Sequence, residues 1–267
     1  MQRTPCIFCG SVDRKLTREH IFGQWMKAAF DGVISEVGNT EIRCSGRQTV
    51  SYETAPFDDT IGGVCYVCNN HWMEHIETLV QPTLTPMMTG GFPTSLTREQ
   101  RNELATWAMK TVLVLDQLNP KNRRTVPEST YSDFFQRKAP SSYHEVSIGR
   151  IDPRMNNLVV CSIQSKIEKF VDTTDARTAT YFQNSLGRGQ WMYVTTFSIG
   201  FVVFQVFGHN LPKSVRVRRT QLHRQALHSL WPGHLAIKWP SGPSIDTMGG
   251  LVAAHDAYTL VPPPLRI

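Results

Sequence analysis

Cys65-Tyr66-Val67-Cys68-Asn69-Asn70-His71-Trp72-Met73 is the stretch whose reading decides the fold of this chain. Its Cys-x-x-Cys has a counterpart near the N-terminus, Cys6-Ile7-Phe8-Cys9, and Arg18-Glu19-His20 follows that first pair. A Cys-x-x-Cys knuckle presents two thiolates on one side, so two knuckles can close one tetrahedral zinc site. Closure would draw Glu19 and His20 towards Asn69, which directly follows the second pair. A carboxylate and an amide oxygen are hard ligands for a divalent cation, and a neutral imidazole can take a proton from water. The competing reading is two unrelated redox-active pairs. It expects a βαβ context, and neither pair has one.

Working outward, the 267 residues suffice for one large domain or two modest ones. A hydrophobic fraction of 40% and a mean hydropathy of -0.26 are ordinary for a globular protein. No apolar run approaches the ~20 residues of a membrane span, and Met1-Gln2-Arg3-Thr4-Pro5-Cys6 has no apolar signal core. The expected location is the cytoplasm, where cysteines stay reduced and paired spacing favours metal over disulfide. Cys44 and Cys161 read as small buried side chains. The net charge of +6 is uneven: residues 1–90 hold 7 Lys+Arg against 10 Asp+Glu, and residues 91–267 hold 21 against 12. A polyanionic partner would therefore be gripped mainly by the C-terminal part.

Thr17 to Phe30 has a helix-like apolar rhythm (Ile21, Phe22, Trp25, Met26, Phe30) interrupted by Gly23. Residues 31–64, with Gly32, Gly38, Gly46, Pro56, Gly62 and Gly63, read as a long loop or β-excursion joining the halves of the zinc site. Trp72, Met73, Ile76, Leu79 and Val80 give a one-sided helix, with Pro82, Pro86, Gly90 and Gly91 expected to break it. Thr97-Arg98-Glu99-Gln100 fits a capping box. It opens a core helix lined by Leu104, Trp107, Ala108, Thr111, Val112, Leu115 and Leu118, which Asn119-Pro120 stops. From 143 onward the pattern turns to strands at 145–148, 158–163, 192–199 and 201–207, the last pair about Gly200. The segment 201–207 is apolar on both faces and should be central in its sheet.

Cys-x-x-Cys, an acidic residue followed by His, then Cys-x-x-Cys-Asn together resemble the HNH, or ββα-metal, endonucleases, most of all their zinc-bearing subgroup. The resemblance covers roughly residues 1–80. It implies a catalytic Mg2+ or Mn2+ held by Glu19 and Asn69, with His20 as general base and Cys6, Cys9, Cys65 and Cys68 on a structural Zn2+. Leu16-Thr17-Arg18-Glu19-His20-Ile21-Phe22, with the second cysteine stretch, also resembles uncharacterised bacterial and phage HNH-like proteins, a wider pattern that includes Glu77 and Pro82. The middle asparagine of the family has one counterpart between His20 and Cys65, namely Asn39. The 44 residues between His20 and Cys65 are long for a compact unit. His71 and His75, spaced i, i+4 on one helix face, are alternative metal ligands.

The expected architecture is α+β: a zinc-stapled ββα-metal module over 1–92, then a basic α+β domain over 93–267 with a long helix and a mainly antiparallel sheet, for DNA binding or regulation. The expected activity is hydrolysis of DNA phosphodiesters, with RNA and a homodimer left open and no membrane partner. Lys213, Arg216, Arg218, Arg219 and Arg224 are candidate phosphate contacts, with a solvated strand edge as the alternative. Arg123 and Arg124 are weaker candidates. The rival class is a non-catalytic zinc module that binds nucleic acid or protein.

Overall fold

The computed structural model describes residues 4–30, 40–45, 48–53, 57–90, 94–152, 158–166, 189–213, 215–233 and 236–261. The central layer is a seven-stranded sheet built mostly from the C-terminal half. It contains β2 (Thr40–Ser45), β3 (Gln48–Glu53), β6 (His144–Arg150), β7 (Leu158–Lys166), β8 (Met192–Ile199), β9 (Val202–His209) and β11 (Leu227–Trp231). Their order is β11-β6-β9-β8-β7-β2-β3. Neighbours are antiparallel except β2 and β7, which run parallel.

Alternation decides which side chains face which layer. Val202, Phe204 and Val206 of β9, with Tyr193, Phe197 and Ile199 of β8, join the large core shared with the N-terminal region. The intervening Val203, Phe207, Met192 and Val194 join smaller clusters on the opposite face. That face is closed by β10 (Arg216–Arg219) paired with β13 (Tyr258–Val261), α5 (Gln221–Ala226) and α6 (Met248–His255). As the sequence predicts, β9 lies inside the sheet, and Gly200 (φ +53°) makes the turn before it. A Cβ there would meet the Met88 carbonyl at 2.0 Å.

The first face is covered by α3 (Arg98–Asp116), capped by Thr97 and Gln100 in the expected reciprocal pair. This helix is not one-sided: every residue from Trp107 to Asp116 is buried. A helix enclosed all round has no solvent face. Trp107 stands against Phe197 and Phe204, with ring centroids 5.8 and 5.4 Å away.

The N-terminal region packs on α3. Strands β1 (Leu16–His20) and β4 (Thr60–Cys65) pair antiparallel. After β4 the chain turns at Cys68–Met73 in a wide π-helical turn and continues as α2 (Glu74–Met88). Two expectations are corrected. Thr17 to Phe30 is a strand followed by the short α1 (Trp25–Ala29), because β1 finds a ladder partner in β4. Helix α2 runs through Pro82 and Pro86 to Met88; each proline costs one backbone bond, and Val80, Leu84, Met87 and Met88 are all buried. One core runs from Phe8 and Phe22 through Val80 and Trp107 to Phe204. Within 31–64, the parts 40–45 and 48–53 are β2 and β3 of the large sheet. Gly32, Gly38, Asn39, Gly46, Pro56 and Gly91 lie outside the described residues, as do the side chains of Cys44 and Cys161. The remaining elements are β5 (Thr94–Leu96) paired with β12 (Ile237–Trp239), and α4 (Glu128–Arg137). Among the described residues no helix is long and apolar enough to cross a membrane.

Candidate metal centre and the polar cluster behind it

The two knuckles meet. The ligand atoms of Cys6, Cys9, Cys65 and Cys68 all lie within 4.8 Å of one another. Tetrahedral zinc with Zn–S of about 2.3 Å sets its sulfurs ~3.8 Å apart. Here Cys6 Sγ is 3.9 Å from Cys68 Sγ, and Cys9 Sγ is 3.7 Å from Cys65 Sγ. The close pairs run between knuckles, as shared coordination of one ion requires; a redox-active Cys-x-x-Cys would bring together its own two sulfurs. These four residues fit zinc.

Local structure prepares the site. Cys6 accepts from the Gly10 amide through its carbonyl, with Gly10 at φ +69°, which tightens the first knuckle. The Cys65 amide donates to Cys6 Sγ at 3.3 Å. Cys6 and Cys68 share a hydrogen, which draws Cys6 down to about 4 and, with burial, pushes Cys68 up. Arg14 lies 4.0 Å from Cys9 Sγ. Lys138 lies over the rings of Phe135 and Trp72, at 3.6 and 4.9 Å from their centroids. Both cations offset the thiolate charge. Phe8 meets Trp72 edge-on at 5.2 Å, packing the knuckles against α4 through Phe134.

The helix that starts at this centre is tied to β1 by Asn69. Its amide nitrogen donates to Thr17 Oγ1 at 3.1 Å and to the Arg18 carbonyl at 3.2 Å. The reason lies in the ladder. Thr17 pairs with Val64 but Glu19 pairs with Ile61, so Gly62 and Gly63 bulge opposite Arg18. Gly63 has φ +93°, a conformation suited to glycine. A bulge interrupts the ladder and re-aims side chains, and the Asn69 amide takes up the Arg18 carbonyl. Both bonds use nitrogen, so the amide oxygen is the atom left for a cation.

Glu19 and His20 then diverge, as successive strand residues do. His20 is half-exposed. Glu19 is buried at 6% exposure. Its Oε1 lies 3.2 Å from Lys110 Nζ, and Lys110 is also 2.7 Å from Glu77 Oε1. Trp25 and Trp107 donate their indole N–H groups to Glu77 at 2.7 and 3.0 Å. Burial raises Glu19 above the usual carboxylate range, against the pull of Lys110. Burial opposes the charge of Lys110, but Glu77 and Glu19 outweigh it and keep the ammonium protonated. Sequence reading missed this lysine and its link to Glu77. The signal was available: Lys110 is the lone charge within Leu104 to Leu115, and a charge on a buried helix requires a partner.

His71 and His75 are exposed, and His75 borders a cavity of about 310 Å³ that Trp72, Leu79, Thr106, Lys138 and Trp231 also line. Among the described residues no group of three His, Cys, Asp or Glu side chains other than the four cysteines is close enough to hold a metal. Of the basic run, Lys213, Arg216, Arg218 and Arg224 are exposed. Arg219 is turned inward, ion-paired with Glu145 and over the Tyr258 ring. Arg123 and Arg124 border a short 3-10 turn. Comparison with family models, curated proteins and solved structures finds no match.

Proposed function

We propose that this protein is a metal-dependent endonuclease of the HNH type that hydrolyses DNA phosphodiesters. The observation carrying this reading is the pair of Asn69 bonds to β1. They tether the start of the zinc-anchored helix to the strand that ends in Glu19-His20. In this reading Glu19 and Asn69 would hold Mg2+ or Mn2+ through a carboxylate and an amide oxygen, and the ion would supply charge stabilisation at the leaving oxygen. The half-exposed His20 imidazole takes a proton from a water, whose oxygen bonds to phosphorus as the bond to the leaving sugar oxygen breaks. The exposed Lys213, Arg216, Arg218 and Arg224 offer a non-specific grip on the phosphate backbone.

A second reading, a non-catalytic zinc module for nucleic acid or protein, draws support from the burial of Glu19 against Lys110. One assay separates the two: plasmid nicking with Mn2+, with and without EDTA, by wild type and by folded, zinc-loaded His20→Ala. A positioned general base contributes ~10²–10⁴-fold, so the nuclease reading expects a loss of that size with DNA binding kept. Wild-type nicking by His20→Ala, or no metal-dependent nicking by either, would leave the binding module as the reading.

A further inference from the structure

Behind Glu19 is a relay of anchors rather than one ion pair. Glu77 accepts three donors, Trp25 Nε1 on Oε2 and Trp107 Nε1 and Lys110 Nζ on Oε1. Those bonds fix Glu77. Glu77 fixes Lys110, whose side chain is 1% exposed, and Lys110 reaches Glu19 through Oε1 alone. One ammonium faces two carboxylates, which leaves a formal charge of −1 within the cluster. The indole N–H groups disperse the charge of Glu77 but donate nothing to Glu19. The excess negative charge therefore falls on the residue next to His20 and beside the strand segment that Asn69 holds.

We propose that Lys110 is a positioning residue for the divalent cation of the nuclease site: it holds Glu19 by one carboxylate oxygen and presents the other. The inference rests on Glu19 being a ligand of that cation. Carboxylates that bind metals are themselves held by hydrogen bonds, and losing such a partner typically costs about 10–100-fold in metal affinity. Lys110 fills that role from a position where desolvating a charge is expensive, so its counter-ions must stay in place.

The test is Mn2+ binding to the zinc-loaded full chain, followed by the electron paramagnetic resonance of free Mn2+, in wild type, Glu19→Gln, Lys110→Met, the double variant and Glu77→Gln. Zinc content and thermal melting certify the fold of each. Lys110→Met is expected to weaken Mn2+ binding at least about tenfold. In the Glu19→Gln background it should add almost nothing, because Lys110 acts through Glu19; a purely structural lysine would lower melting without that non-additivity. Glu77→Gln leaves one amide oxygen where two carboxylate oxygens served Trp25, Trp107 and Lys110, so it loosens Lys110 and should weaken binding in the same direction as Lys110→Met. Weakening by Glu19→Gln but not by folded Lys110→Met would overturn the proposal and leave the nuclease reading intact. Binding unaffected by Glu19→Gln would overturn both. If Lys110→Met does not fold, Glu77→Gln decides: wild-type binding by the folded, zinc-loaded variant refutes the positioning role.

Discussion

Lowering the pH from 7.5 to 5.5 should destabilise the protein through three buried histidines. On the second face of the sheet, Gln205 donates to Thr196 Oγ1 and the Ala254 carbonyl and accepts from Tyr258 and His223. His255 bonds Thr196 Oγ1 through Nδ1 at 2.9 Å and Ser165 Oγ through Nε2 at 2.8 Å. This leaves His255 neutral with both nitrogens used. His223 donates from Nε2, and its Nδ1 is buried without a partner. His144 bonds Ser141 through Nδ1, and its Nε2 has no partner. Burial lowers each from 6.5 to about 4. The folded value is depressed, so the stabilising contribution is complete above pH 6.5 and is lost as pH falls towards 4. At pH 5.5 linkage gives about 1.3 kcal/mol per histidine, or about 4 kcal/mol for the three. For a chain this size that is on the order of 10 °C in Tm. Burial raises Glu19 and Asp116, which act in the opposite sense. The assay is therefore the difference between wild type and His255→Gln in urea melts at both pH values. The variant should lose about one third of the pH-dependent change. A wild-type change below ~1 kcal/mol, or an undiminished change in both His255→Gln and His223→Gln, refutes the reasoning.

Two further outcomes follow from the geometry. Purified protein should carry about one zinc per chain by elemental analysis, and Cys68→Ser should lose it and melt the N-terminal region first, since four-thiolate binding of the ion contributes folding energy to that region. Protein free of zinc after chelator-free purification would refute the site. Arg216→Ala with Arg218→Ala should reduce the slope of log K against log salt for DNA by up to ~2, whereas Arg219→Ala should lower stability through Glu145 and leave the slope alone; equal slopes in all three proteins would make β10 a solvated edge.

What was legible follows from the range of each signal. The four-cysteine cluster was written in spacing, because ligand geometry restricts knuckles to few patterns. Strands β6, β8 and β9 were written in their two-residue and doubly apolar rhythms, and the start of α3 in its capping box. The Pro82–Pro86 stretch misled because burial of Leu84, Met87 and Met88 outweighs two missing backbone bonds, a tertiary effect that no local rule carries. The parallel pairing of β2 with β7 joins residues about 120 apart, and nothing in either segment specifies it. Glu19, Glu77 and Lys110 also lie on separate elements, with Lys110 33 residues from Glu77, and their meeting depends on how those elements pack.

That meeting bears on the choice between enzyme and binding module. Replacing a buried ion pair by apolar residues of similar volume is often neutral or stabilising, so a network of Lys110, Glu19 and Glu77 has no ready explanation in stability alone. A scaffold that merely displayed a zinc knuckle would be served as well by leucine or methionine at all three positions, packed against Trp25 and Trp107. The charges are instead concentrated behind the one strand whose end carries Glu19-His20, and the start of the helix beside that strand is tied to it by the Asn69 amide. Two polar devices thus converge on the same few residues from opposite sides, one fixing a carboxylate and the other an amide. Orientation of polar groups, more than stability, is the property that both devices supply, and orientation is what an activated water and a bound cation demand.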